Sequence, residues 1–451
     1  MARPPLLLIA CGETYRSGRA SGVERVVRMI AQHASSVVGA HGMTAASVRI
    51  EESGIAVLDN DWLHERRGRD APPAVSAMVQ RLRWYSHRIM HASARPLRWV
   101  LPAKKVDELV YRDVADHMPV RWMRSLWRKR DKRLDWLDLR ADQTGNILLL
   151  AEVTWTRREW PAVRQFRAKG GAVVVLIYDL IPILMPEHYS VAMQVHYRAW
   201  LDEQRRVASG FVAISATVAS QLRDFLGDTD LPVRHALLGS DPIAVADVLP
   251  GDALPPGLVA PERHLFLVVG MLAPRKNHMF ILDAFELYWA KGGTAALAIV
   301  ANSAWASAAM LARLEVHKLL GKKLFYLTDA DDHTLERLYA AASGLVFASR
   351  AEGFGLPLIE ALQRGVPVLC SDIAVFHELA DGWARFFSLD DPQALCVALE
   401  DFDKLHPPGQ TFERKPMPWQ GWQQSIDTMV DEIVQVGKSG RGTRSSRASA
   451  P

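Results

Sequence analysis

The chain has 451 residues, of which 49% are hydrophobic and 23% charged, and its net charge is +4 at pH 7. These values describe a soluble globular protein long enough for roughly two or three cores, and they exclude a fibrous or wholly disordered chain. The charge is too small for the size to imply nucleic acid, and no apolar run approaches the ~18 residues of a membrane span.

Cys11, Cys370 and Cys396 are few, odd in number and far apart. That spacing argues against a disulfide framework or a zinc site and fits a reducing cytoplasm. Leu8-Ile9-Ala10-Cys11 resembles a lipoprotein cleavage box, but the apolar run is shorter than the ~7–15 residues of a signal core. Leu6–Ala10 is therefore expected as a first buried strand, followed by a polar loop from Gly12 to Ser21 and a helix through Val23–Ile30, whose apolar residues recur at helical spacing. Ser47–Ile50 and Ile55–Leu58 read as further strands.

Residues 75–140 interrupt this pattern. They are dense in Arg and Lys, with Trp84, Trp99, Trp122, Trp127 and Trp136 interleaved. From Arg121, the positions Met123, Leu126, Trp127, Leu134 and Leu137 fall near one helical face among basic residues. Such a segment serves either as a contact with a membrane surface or as a helical excursion that packs its tryptophans on the domain. No nucleic-acid-binding module accompanies it.

Asn146–Val153 and Ala172–Tyr178 are β-branched, apolar runs of the kind buried in parallel sheets. The second runs into Tyr178-Asp179, placed where an open α/β sheet binds its ligands. A strand at Phe211–Ser215, a helix through Leu226 and a stretch from Val233 to Gly239 complete an N-terminal domain of residues 1–245. Residues 246–263, rich in Pro, Gly, Asp and Ala, read as a linker.

The α/β alternation then restarts over 264–415. Strands are expected at Leu265–Val269, Ala295–Val300, Leu324–Leu327, Gly344–Ala348 and Val366–Cys370. Helices are expected at Asn277–Ala290, Trp305–Leu320, His333–Ala342 and Pro392–Glu400. This is a second doubly wound domain. A closing helical segment, 416–436, precedes a tail, 437–451, too polar to hold structure.

The chemistry concentrates in this second domain. Glu352-Gly353-Phe354-Gly355-Leu356-Pro357-Leu358-Ile359-Glu360 is a glycine-rich turn between a strand and a helix, framed by two carboxylates. Glycines allow close approach of a ligand to the backbone, Pro357 suits a first helical turn, and a helix N-terminus attracts anions. Gly270 to Asn277 places Arg275 and Lys276 at another strand-to-helix turn, where a guanidinium fork and a compact ammonium suit a diphosphate. Glu360, inside its helix, suits the vicinal hydroxyls of a ribose. Asp329-Ala330-Asp331-Asp332 could be taken for a metal motif, but its position before His333 favours a helix cap from Asp331 or Asp332.

Glu352 and Glu360 in this setting resemble the signature of retaining glycosyltransferases of family four. The resemblance extends through Val268-Val269-Gly270, Pro274 to Asn277, Leu335 to Tyr339 and Gly365 to Val368. Ser21 to Arg28 resembles the family's loop and helix near the acceptor, and Tyr178 to Pro182 a recurrent variant. It implies an α/β fold of the GT-B class, two Rossmann-like domains facing across a cleft, with a final helix around Trp419 returning to the first domain. Carried over residue by residue, Gly270, Arg275, Lys276, Gly353, Phe354, Gly355, Leu356 and Glu360 bind the donor. Arg275 and Lys276 neutralise the departing diphosphate, Glu352 positions the sugar, and Asp179 joins them in catalysis. Gly22, Arg25, Tyr178 and Asp179 face the acceptor side. Met271 and Tyr178 depart from the family, in which Arg and His are common at those positions.

The implied activity is transfer of a sugar from a nucleotide sugar, GDP-mannose first and UDP-sugars next, to a glycan or lipid-linked acceptor of a surface polysaccharide. No metal or other cofactor is implied, nucleic acid is not a partner, and the expected location is the cytoplasm with a peripheral contact to the inner membrane face. The alternatives are a nucleotide-sugar epimerase of the same fold and a sugar-nucleotide-binding scaffold subunit without turnover.

Overall fold

The computed structural model describes residues 4–17, 22–63, 135–152, 159–242, 254–301, 308–328, 330–410 and 413–439. Residues 64–134, which hold most of the basic, Trp-rich segment, residues 246–253 of the expected linker, Asp329 and the tail from residue 440 lie outside them. The chain divides into two compact units, and the division is not a single cut at the linker: Leu176–Leu184 joins Phe211–Val436 in one unit, and the other comprises Met1–Val175, Met185–Gly210 and Gly437–Pro451.

In the first unit the strands lie in the order β4-β3-β2-β1-β5-β6. Their ranges are β1 Leu6–Ala10, β2 Thr44–Glu51, β3 Gly54–Val57, β4 Asp135–Trp136, β5 Ile147–Leu150 and β6 Ala172–Ile177, the last two residues of β6 falling in the second unit. β1 runs parallel to both β2 and β5, with Leu8 opposite Ala46 and Leu148, and β5 is parallel to β6. β5 and β6 are buried at every position, which is why their sequences are unbroken apolar runs rather than alternating ones. The first helix after the loop runs over Gly22–Val37 and buries Val26, Val27, Ile30, Ala31 and Ala34, one face at helical spacing.

Two expectations need correction in this unit. Gly12–Ser17 is a short helix, not a polar loop. The cause lies far along the chain: the Glu152 carboxylate accepts from the main-chain N–H of Glu13 at 2.8 Å and of Thr14 at 2.6 Å, satisfying amides that a six-residue helix leaves unpaired. Glu152 is 5% exposed, and burial pushes its pKa up. Burial, with the Glu152 charge, also pushes the Cys11 thiol up to about 12. Glu152→Ala is expected to cost about 1–3 kcal/mol in chemical denaturation, because two amides lose their acceptor.

The second correction concerns the end of the basic segment. Asp135–Trp136 pairs antiparallel with β3, and the Leu137 N–H donates to the Ile55 carbonyl at 2.9 Å, so Leu137 is in a sheet edge and not on a helical face. Its partner strand tolerates the indole because Gly54, at φ +152, leaves room for the Trp136 ring.

The second unit holds a parallel pair, β7 Gly210–Ala213 (its first residue falling in the first unit) with β8 Val233–His235, and a six-stranded sheet. The sheet order is β11-β10-β9-β12-β13-β14, with β9 Leu265–Val269, β10 Ala296–Val300, β11 Leu324–Leu327, β12 Gly344–Phe347, β13 Val368–Ser371 and β14 Ala384–Phe387. All of its neighbours are parallel; Leu267 of β9 stands opposite Ala298 and Leu345. Such a sheet must be covered on both faces, and helices His278–Ala290 and Pro392–Leu405 supply Phe280, Phe285, Leu399 and Phe402 to a core around Phe266.

β14 and the helix Ala374–Ala380 carry weak sequence signals: Ala-Arg-Phe-Phe is an edge strand whose Arg385 reaches Asp401 at 2.7 Å. The helix expected from Trp305 to Leu320 spans Ala308–Glu315 in the described residues. The final helix spans Trp422–Ser439, and just before it the Trp419 indole N–H donates to the Leu238 carbonyl at 2.9 Å.

Among the described residues no helix is long and apolar enough to cross a membrane.

Candidate active site

The glycine-rich turn lies between β12 and the helix Leu356–Gln363. Gly355 precedes that helix with φ +120, a conformation closed to most side chains, and Pro357 occupies its first turn. Gly353 is required for another reason. A Cβ there would stand 1.8 Å from the Tyr178 carbonyl oxygen, so the turn is pressed against the backbone that follows β6. Close approach was expected from a ligand; at Gly353 it comes from the protein itself. The Gly353 carbonyl is further held by the Ser215 hydroxyl at 2.9 Å, and Ser215 also caps the helix Ala216–Leu226.

The carboxylate beside this turn gathers the cations. Arg275 Nη1 lies 2.9 Å from Glu352 Oε2, Lys276 Nζ pairs with Glu352 Oε1, and the Ser349 hydroxyl donates to Oε1 at 2.7 Å. All three charged side chains are largely buried. Burial alone would raise the Glu352 pKa, but Lys276 and Arg275 outweigh it and hold the carboxyl at about 2. For Lys276 burial wins and pushes the pKa down, with the Glu352 charge opposing. The ammonium is nevertheless seated well: it sits 4.6 Å over the Phe347 ring, and Gly270, at φ +144, lies alongside it.

Two loops are laced together around this cluster. The Arg350 N–H donates to the Arg275 carbonyl at 2.8 Å, and Arg275 Nη1 donates to the Ala351 carbonyl at 3.1 Å. Asp179 belongs to the same compact unit, although Tyr178 and Asp179 were expected on the N-terminal domain. Burial pushes the Asp179 pKa up, Arg275 pulls it down, and its Oδ1 accepts from the Ile181 N–H at 3.0 Å. Arg275, Lys276, Glu352 and Asp179 are thus one electrostatic group.

The other expected residues divide. Phe354 is buried, with its ring 6.1 Å from that of Trp419, and Leu356 opens the helix. Glu360 is 7% exposed and accepts from the Tyr339 hydroxyl at 3.1 Å. Gly22 and Arg25 lie in the first unit, Gly22 exposed at the start of its helix and Arg25 half-buried. Asp331 caps the helix Asp332–Ala341 through the Thr334 N–H at 2.8 Å, as expected of it. Among the described residues no three His, Cys, Asp or Glu side chains are grouped to hold a metal.

Ser349, Ser215 and Phe347 were not anticipated. Ser349 stands three residues before Glu352, a signal within reach of the sequence, whereas Ser215 and Phe347 are brought in only by the fold.

Residues 255–401 match the family model described as glycosyl transferases group 1. The chain carries a group 1 glycosyl transferase domain. The match takes in β9 through most of the helix after β14, including Arg275, Lys276, Glu352 and Glu360.

Curated relatives extend the likeness beyond the group 1 domain. The serotype-specific mannosyltransferase WbdA of Escherichia coli is 32% identical over 288 residues, 61% of this chain and 35% of that protein. The O-antigen chain mannosyltransferase RfbU of Salmonella typhimurium strain LT2 is 33% identical over 151 residues, 32% of this chain and 40% of the relative. The chain therefore spans well under half the length of these curated relatives. Among solved structures, sucrose-phosphate synthase from Thermosynechococcus elongatus is 16% identical and superposes with a TM-score of 0.52, covering 100% of each chain. At that identity the likeness concerns the fold, which is of the GT-B class: two α/β units built on parallel sheets, the group 1 domain in the second.

Proposed function

We propose that the chain is a retaining glycosyltransferase that moves a sugar from a nucleotide sugar to a glycan or lipid-linked acceptor in surface polysaccharide synthesis. The observation that carries this reading is the convergence of Arg275 and Lys276 on Glu352 beside Gly270, within a group 1 glycosyl transferase domain. The names of WbdA and RfbU, both mannosyltransferases, favour mannose as the sugar and GDP-mannose as the donor, with UDP-sugars next.

In this reading the leaving diphosphate is the problem to be solved. As the bond from the anomeric carbon to the phosphate oxygen lengthens, negative charge grows on the diphosphate and positive charge on the sugar ring. Arg275 and Lys276, fixed in advance and shielded from water, stabilise the first; Glu352 and Asp179 stand where they can stabilise the second. The acceptor hydroxyl attacks from the face that the diphosphate leaves, and a phosphate oxygen takes its proton. The reading requires no metal, because side-chain cations around the diphosphate supply charge in its place. Glu360, offered between the Tyr339 hydroxyl and its helix, holds the ribose. The reading places the reaction in the cytoplasm, with residues 75–140 as the membrane contact.

A thermal-shift screen against nucleotides and nucleotide sugars tests it, since a ligand that binds the folded state raises the melting temperature by mass action. The expected result is stabilisation by GDP, GDP-mannose or their uridine counterparts without added magnesium. No stabilisation by any nucleotide would overturn the reading.

A further inference from the structure

Asn277, between the two basic residues and the helix His278–Ala290, is unusual in two ways. It is the one non-glycine residue with positive φ among the described residues, at φ 60 and ψ 38. An L-residue pays for that conformation with backbone strain, which persists where the surroundings impose it and clusters at ligand sites. Its side chain is also incompletely paired. Asn277 is 8% exposed, its Oδ1 accepts from Arg350 Nη2 at 3.4 Å, and its Nδ2 is buried with no hydrogen-bond partner. A buried amide donor left unpaired is a cost to the fold that a ligand accepting from it would remove.

Arg350 is the second element. It is exposed, its main chain is bonded to the Arg275 carbonyl, and its guanidinium contacts Asn277 rather than a carboxylate. The charges nearby make this consequential. Arg275 and Lys276 are answered by Glu352, with Asp179 close by, so those two cations by themselves leave little net positive charge to draw in a dianion. Arg350 adds the charge in excess, and its planar fork matches a phosphate oxygen pair.

We propose that Arg350 and Asn277 Nδ2 form a second anion contact of this site, taking the diphosphate of a nucleoside diphosphate or nucleotide sugar beside Arg275 and Lys276. The inference deepens the donor reading above and rests on it. Asn277 orients the guanidinium through Oδ1 and turns Nδ2 to the same anion; its left-handed backbone holds the amide at the turn between the cations and the helix.

Calorimetric titration of the full chain with GDP and with UDP tests this. Arg350→Gln is expected to weaken the tighter of the two by about tenfold or more, with an unchanged melting temperature, since Arg350 is exposed. Arg350→Lys should recover part of the loss. Asn277→Gly, which accepts the positive φ without strain and so keeps the fold, should weaken binding in the same direction. Arg385→Gln, which removes an exposed cation paired with Asp401 on β14, is the control and should leave affinity unchanged. If the parent binds and both Arg350→Gln and Asn277→Gly bind within twofold of it, the inference fails while the donor reading stands. If the parent binds neither nucleotide, the donor reading itself fails and takes the inference with it.

Discussion

Lys276→Ala is expected to lower sugar transfer by about 10²–10³-fold, on the order of 3 kcal/mol of barrier, while the protein stays folded. The ammonium is held between the Phe347 ring and Glu352 in a largely buried site, where a charge aimed at a developing anion acts far more strongly than in water. Folding should survive for two reasons. Glu352 keeps Arg275 at 2.9 Å, so the substitution does not strand a buried carboxylate. Burial also disfavours the Lys276 charge, so its removal relieves part of its own desolvation. Initial rates of nucleoside diphosphate release, read beside a thermal melt, check both halves. Near-normal turnover would contradict the role given to Lys276, and loss of the melting transition would contradict the claim that the role is chemical.

Gly353→Ala should be the most damaging small substitution in the turn, costing about 3 kcal/mol or more. The added methyl would meet the Tyr178 carbonyl oxygen at 1.8 Å and the Asp179 Cβ at 3.2 Å. A flexible side chain could swing away; a backbone carbonyl following a fully buried strand cannot. The Gly353 carbonyl is itself fixed by Ser215, so the turn has no direction in which to yield. Gly22→Ala is the contrast: nothing lies within 4 Å of a Cβ there, and its effect should stay within about 0.5 kcal/mol. Urea denaturation of the two variants separates these outcomes, and equal stabilities would refute the packing argument.

Much of the second unit was legible because its strands are short, apolar and bounded by glycine, and its helices carry 3.6-residue periodicity. β9 and β11 were expected at their observed bounds, and β10 and β12 within one residue. That Arg275, Lys276 and Glu352 would meet was legible too, because each stands at a strand-to-helix turn, where parallel sheets converge their loops. What escaped were effects of long-range contact. The helix Gly12–Ser17 exists because Glu152, over 130 residues later, accepts from its first amides. β14 was missed because an edge strand with a charged residue lacks the apolar run of a central one. The unit to which Tyr178 and Asp179 belong was hidden because chain order places them before the linker, whereas the packing of Tyr178 on Gly353 places them with the cations. Glycine at 353 could be seen to matter, but only the structure tells that backbone, not ligand, demands it.

The most direct measurement is a transfer assay with GDP-mannose, a glycan acceptor and no added metal, following the sugar into product and reading its anomeric configuration by NMR. The account predicts metal-independent transfer with the donor's configuration retained, lost in Lys276→Ala. Inverted product would contradict the retaining chemistry. Transfer that is absent with any nucleotide sugar, or indifferent to Lys276, would contradict the account at its centre.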